Sequence, residues 1–156
     1  MKIISDSVHR TLRIGRLISR SVRRGDIICL WGQLGSGKTV LAKGIAHGLG
    51  IGKDDIVSPT FVLMRQYTNA KIPFYHLDLY RLDSPFEILR LGYEEYFYGD
   101  GVTVIEWADR LDQLMPQEYL SIRLSIRGKN LRWLDLCGVG RRYIELVEDI
   151  HEDICN

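Results

Sequence analysis

The chain has 156 residues, 46% of them apolar and 26% charged, with 21 Lys and Arg against 20 Asp and Glu. That length and composition fit one globular domain, residues 1–156, with a sizeable core. The net charge of +1 gives no overall argument for a nucleic-acid partner. No apolar stretch is long enough to span a membrane, and polar residues interrupt the N-terminus too early for a signal peptide. Three well-separated cysteines (Cys29, Cys137, Cys155) suggest neither a disulfide framework nor a zinc site, so the expected setting is a reducing cytoplasm.

Residues 6 to 22 read as an amphipathic helix, capped by Asp6 or Ser7. Val8, Leu12, Ile14, Leu17 and Ile18 form its apolar side. Arg10, Arg13, Arg16, Arg20, Arg23 and Arg24 form a basic side. A solvated face is the commoner meaning of such a stripe; a patch for RNA phosphates or an acidic partner is the sharper one. Gly25-Asp26 then turns the chain into an apolar run, Ile27 to Trp31, which reads as a buried strand.

Gly32-Gln33-Leu34-Gly35-Ser36-Gly37-Lys38-Thr39 follows. It matches the phosphate-loop pattern G-x-x-x-x-G-K-[ST] in full. A phosphate chain needs several donors converging on it with no side chains in the way. Glycines supply the turns, Lys38 a mobile positive charge, Thr39 a hydroxyl for Mg²⁺, and the helix that starts here a favourable dipole. The backbone N–H groups of the loop, Gly35, Ser36 and Gly37 among them, point into the same cradle. A shuffled chain of this composition would hold the pattern with a chance of about 0.005. Strand, loop and helix also come in the required order. The helix is expected to end near Gly48-Leu49-Gly50.

Ser58-Pro59-Thr60-Phe61 reads as an extended entry to a strand over 60–67. A turn at 68–71 and a returning strand over 72–79 complete a hairpin. Thr60 is either a sensor near the γ-phosphate or a polar strand start. In the second strand His76, Asp78 and Tyr80 share one face, with Leu77 and Leu79 on the other. The polar face looks either at a site or at water, and a lone His76 is more often structural than catalytic. Ser84-Pro85-Phe86-Glu87 has the cap, proline and capping box of a helix start. Gly92 interrupts that helix before the aromatic cluster Tyr93, Tyr96, Phe97 and Tyr98. Val102 to Ile105 is a second buried strand, and Glu106 at its end completes a Walker B pattern. In a parallel sheet that end faces the phosphate loop. An antiparallel hairpin (122–126 with 131–137) and a terminal helix (141–150) close the chain.

Four motifs in this order resemble the bacterial TsaE (YjeE) family: the phosphate loop, Ser58-Pro59-Thr60-Phe61, His76-Leu77-Asp78-Leu79-Tyr80-Arg81-Leu82 and Val104-Ile105-Glu106-Trp107-Ala108. Residues after about 110 add little to the resemblance. It implies an α/β fold of P-loop NTPase type, with a mostly parallel central sheet, added antiparallel hairpins and helices on both faces. It implies ATP or ADP and Mg²⁺ as ligands. It also implies an accessory ATPase role beside TsaD and TsaB homologues, which place threonylcarbamoyl on N6 of adenosine 37 in tRNAs reading A-starting codons; tRNA would be met through that complex. By position, Lys38 contacts phosphates, Thr39 and Glu106 hold Mg²⁺, Asp78 orients water, and Thr60 belongs to a switch-like segment. Trp107 shapes the site or meets a partner, and Val8 and Thr11 lie by the adenine. Gln33 and Val40 depart from the family's frequent acidic and hydroxyl residues, and the loss of a hydroxyl at Val40 implies weaker nucleotide binding.

Two other functions use the same loop. A small-molecule or nucleotide kinase needs an arginine clamp on the transferred phosphate, for which Arg81 and Arg90 are available. A GTPase-like switch normally carries an Asn-Lys-x-Asp segment, which this sequence lacks.

Overall fold

The computed structural model describes residues 1–155. Among them, seven strands form one sheet: β1 (Lys2–Ser5), β2 (Ile27–Trp31), β3 (Met64–Tyr67), β4 (Phe74–Asp78), β5 (Val102–Glu106), β6 (Tyr119–Ile126) and β7 (Arg132–Val139). Their order across the sheet is β1-β7-β6-β2-β5-β4-β3. The central four, β6, β2, β5 and β4, are mutually parallel. The β6–β7, β7–β1 and β3–β4 pairs are antiparallel. The helices are α1 (Val8–Ser21), α2 (Lys38–Gly48), α3 (Pro85–Arg90), α4 (Glu94–Phe97) and α5 (Arg141–Cys155), with a 3₁₀ segment over Ala108–Leu114. This is the expected α/β architecture, and no helix is long and apolar enough to cross a membrane.

The sheet has an apolar layer on each face, which β2 shows directly. Ile28 and Leu30 join one core with Ile14 and Ile18 of α1, Leu41 and Ile45 of α2, and Leu146 and Ile150 of α5. Ile27 and Cys29 point the other way, toward Ile88, Phe97 and Leu111. Burying an aliphatic side chain is worth roughly 1.5–3 kcal/mol, an exposed ion pair about 0–1 kcal/mol. The two layers therefore hold the sheet.

Local signals placed most elements. The hydroxyl of Ser7 accepts the Arg10 N–H at 3.1 Å and caps α1. Ser84 and Glu87 form the capping box of α3, and Gly92 breaks the chain at φ +64° before α4. Tyr93 and Phe97 pack edge-on at 4.8 Å in the core, whereas Tyr98 is exposed. Two expectations need correction, and one open alternative is decided. The strand expected over 60–67 begins only at Met64. Val62 and Leu63 donate their N–H groups to the Pro59 carbonyl, and Leu63 is left-handed (φ +66°), so the chain turns where extension was expected. Val8, placed on the apolar side of α1, is exposed. His76 and Asp78 are not on a wet face, because both faces of β4 are covered.

Helices α1 and α2 approach closely through Gly15 and Gly44. A Cβ on Gly15 would lie 2.6 Å from the Leu41 carbonyl oxygen and 2.8 Å from the Gly44 Cα. Backbone atoms cannot yield cheaply, so Gly15→Ala is expected to cost about 2 kcal/mol and lower Tm by roughly 4–8 °C. Urea and thermal unfolding check this; unchanged stability would contradict the helix contact.

Candidate functional site

The site grows from the register of parallel strands. Asp78 ends β4 and Glu106 ends β5, and the two are partners across the ladder. Leu30, one residue before the end of β2, is the partner of Glu106 on its other side. The chain leaving β2 therefore enters the phosphate loop beside both carboxylates. Gly32, Gly35 and Gly37 take φ of +143°, +75° and +105°. At Gly32 a Cβ would also press on the Leu124 carbonyl and the Ser36 hydroxyl. Only glycine accommodates both demands. Gly37 precedes α2, whose first turn faces the cavity with unsatisfied N–H groups.

Within this frame the polar groups are nearly all engaged. The Thr39 hydroxyl donates to Oε2 of Glu106 at 2.8 Å, and Nε2 of His76 meets Oε1 of the same carboxylate at 2.7 Å. The Thr60 hydroxyl donates to Oδ2 of Asp78 at 2.7 Å, and the Tyr80 N–H donates to Oδ1 at 3.0 Å. Nζ of Lys38 donates to the carbonyls of Gly32 (2.6 Å) and Gln33 (3.1 Å) and lies 4.0 Å from the Trp107 ring centre. Burial lowers the Lys38 pKa, partly opposed by the negative charges of Glu106, Asp78 and Asp109. Trp107 is held left-handed at φ +58° and packs on Tyr80 at 4.8 Å. The exceptions are the Ser36 hydroxyl and Nδ1 of His76, both buried with no hydrogen-bond partner.

A cavity of about 290 Å³ joins these groups. Of the expected site residues, Gly35, Gly37, Lys38, Thr39, Val40, Thr60, Asp78 and Glu106 line it, together with Trp107. Ser36 lies within the loop but not on the lining. Val8 and Thr11 stand apart: Val8 is exposed on α1, and the Thr11 hydroxyl bonds to the Ser5 hydroxyl at 2.8 Å. Arg81, a possible kinase clamp, lies over the Phe61 ring at 4.4 Å and outside this lining. Sequence reasoning left His76 as structural, put Tyr80 on a face open to a site or to water, and overlooked Leu34; Tyr80 and Leu34 both line the cavity. Two-residue spacing from Asp78 was the available signal for His76 and Tyr80.

The donor set suits a hard cation next to phosphate. It offers two carboxylates and two hydroxyls, all oxygen. Among the described residues, no cluster of three His, Cys, Asp or Glu forms a metal cage of its own. A cation at Thr39 and Glu106 would complete its shell with phosphate and water oxygens, as Mg²⁺ does. The partnerless Ser36 hydroxyl and the free N–H groups of the loop suit an anion beside it.

A family model described as threonylcarbamoyl adenosine biosynthesis protein TsaE matches residues 5–133. The chain belongs to the TsaE family. The match continues beyond residue 110, where the sequence motifs end. The Bacillus subtilis tRNA threonylcarbamoyladenosine biosynthesis protein TsaE is 39% identical over 148 residues, 94% of this chain and 92% of the relative. The TsaE protein of a Nostoc species is 40% identical over 139 residues, 86% of this chain and 84% of its own. The crystal structure of Bacillus subtilis YdiB superposes with a TM-score of 0.85 at 36% identity, covering 97% of this chain and 94% of the other. The TsaE resemblance seen in four motifs thus extends to the whole fold.

His76 and Glu106 are fully buried against each other. His76→Ala would leave a buried carboxylate oxygen without its partner, at a cost of about 1–3 kcal/mol. Chemical unfolding checks this; stability equal to wild type would show the pair to be dispensable.

Proposed function

We propose that this chain acts in the biosynthesis of threonylcarbamoyladenosine in tRNA as an ATPase, binding ATP with Mg²⁺ and hydrolysing it. It works beside TsaD and TsaB homologues and does not itself transfer the threonylcarbamoyl group. The observation that carries the ATPase reading is the Thr39–Glu106 hydrogen bond at the mouth of the phosphate loop. It joins the last residue of the loop motif to the Walker B carboxylate, the two groups such enzymes use on a nucleotide-bound Mg²⁺.

Each residue then has a task. The backbone N–H groups of the loop and the first turn of α2 bind the phosphates. Lys38 leaves its two carbonyl partners and moves onto the β- and γ-phosphates. Thr39 and Glu106 hold the cation, which neutralises charge on the phosphates when bound. His76 fixes the Glu106 carboxylate from behind. Asp78 orients the attacking water, and Thr60, already bonded to Asp78, reports the state of the γ-phosphate through the 59–63 turn. Trp107 covers Lys38 and limits access of water. Catalysis here is positioning and electrostatics, with groups supplied by partners raising a low intrinsic rate.

Glu106→Ala is expected to weaken Mg²⁺-dependent hydrolysis more than Mg²⁺-free nucleotide binding. Asp78→Ala should lower turnover at least 10-fold with a smaller change in affinity. Titration with a fluorescent ADP analogue, with and without Mg²⁺, separates the two; the reverse ordering would exchange their roles. The function itself is tested by ATP turnover of the chain alone and with TsaD and TsaB homologues plus tRNA. Stimulation by the complex that is lost in Lys38→Ala is the expected result. Turnover indifferent to the complex, or unaffected by Lys38→Ala, would overturn the reading.

A further inference from the structure

A second cavity, of about 740 Å³, lies away from the phosphate loop between α1, α2 and the end of α5. Its walls are basic. Arg13, Arg16 and Arg20 descend one stripe of α1, over roughly 10 Å of helix at ~1.5 Å per residue. Lys43 faces them from α2 and Lys53 from the segment after it. Among the described residues Asp153 is the one carboxylate on the lining, and it accepts a hydrogen bond from the Ser21 hydroxyl at 3.2 Å.

Outside the groove Arg24 pairs with Asp100, Arg141 with Glu145, and Arg142 with buried Asp26. Among the described residues none of the five groove cations has a carboxylate within 4.0 Å. Nε of Arg16 is buried with no hydrogen-bond partner. The positive field also reaches His47 on the same wall, whose pKa is lowered by burial and then by Arg16 and Lys53. A protein of net charge +1 has gathered five unpaired cations in one groove.

We infer that this groove binds the phosphodiester backbone of RNA, with Arg13, Arg16, Arg20, Lys43 and Lys53 on the phosphates. The choice of RNA over another polyanion rests on the tRNA-modification role proposed above. Guanidinium forks match phosphate oxygens two at a time, which favours an arginine-rich stripe. Among the described residues the lining has no Phe, Tyr or Trp on which an unstacked base would sit. The groove therefore grips backbone and leaves sequence unread.

The test is fluorescence anisotropy of a labelled tRNA transcript with the full chain, without nucleotide, from about 50 to about 200 mM salt. The variant combines Arg13→Gln, Arg20→Gln and Lys53→Gln, three exposed positions outside the phosphate site. Its affinity should fall at least 10-fold, and the slope of log K against log salt should become shallower by about 2. Its unfolding midpoint and basal ATP turnover should match wild type. No tRNA binding by the wild-type chain, or equal affinity and slope in the variant, overturns the inference. So does a polyglutamate peptide that binds more tightly than tRNA and is lost in the variant, because the groove then takes an acidic protein segment. Loss of ATP turnover in Lys38→Ala is read separately, so either proposal can fail alone.

Discussion

Two carboxylates side by side in a sheet interior are the constraint around which this molecule is built. Asp78 and Glu106 face each other across the β4–β5 ladder, with only 3% and 2% of their surface exposed. Buried carboxyl groups cost free energy unless their oxygens are hydrogen-bonded. The structure supplies separate partners: the Thr60 hydroxyl and Tyr80 N–H for Asp78, the Thr39 hydroxyl and His76 imidazole for Glu106. Lys38 adds the nearby positive charge. The partners come from the start of α2, the 59–63 turn and the β4 stretch itself, so satisfying two acids fixes the relative positions of the phosphate loop, the 59–63 turn, β4 and β5.

The same logic appears at the opposite end of β2. Asp26 is buried and accepts from the Arg142 guanidinium at 2.7 and 3.2 Å and from the Arg23 N–H at 2.8 Å. Next to it the Tyr143 hydroxyl accepts the Ile27 N–H at 2.8 Å, and burial pushes that phenol up to about 12. The C-terminal helix is thereby pinned to the strand that leads into the phosphate loop. Removing one member of such a buried pair generally costs 3–5 kcal/mol, far more than an exposed pair contributes. The end of β2 away from the phosphate loop is therefore locked to the C-terminal helix.

How far the sequence foretold this depended on the range of the cause. The phosphate loop, the Ser7 cap, the capping box at Ser84 and the break at Gly92 are local chemistry, and each stands where its residue types put it. β1 was missed because its four residues carry no pattern of their own. They form a strand by pairing with β7, some 130 positions away. The start of β3 was misplaced for a similar reason. Thr60 looks like a strand residue by propensity, yet its hydroxyl is drawn to Asp78, and the Pro59 carbonyl captures the following N–H groups. A tertiary hydrogen bond overrode a local preference. For His76, alternation gave the right face, but it could not show that this face is buried; Phe74, two residues earlier on the same face, joins the core layer with α1 and α2 residues.

Lys38 shows why the site must be described as a competition. Its ammonium is already bonded to two loop carbonyls and sits against the Trp107 ring. A phosphate bound here would therefore not meet a free cation; it would displace these contacts, and only the difference would count toward affinity. The exchange would be favourable because the ammonium trades neutral carbonyl acceptors for a charged phosphate and so gains ion-pair attraction. The carbonyl contacts still serve a purpose. Without them a buried ammonium would stand beside two acids and collapse onto them, closing the cavity between Lys38, Asp78 and Glu106. Held by Gly32 and Gln33, the lysine keeps its charge near the carboxylates and leaves the space between them open to a cation and its anion.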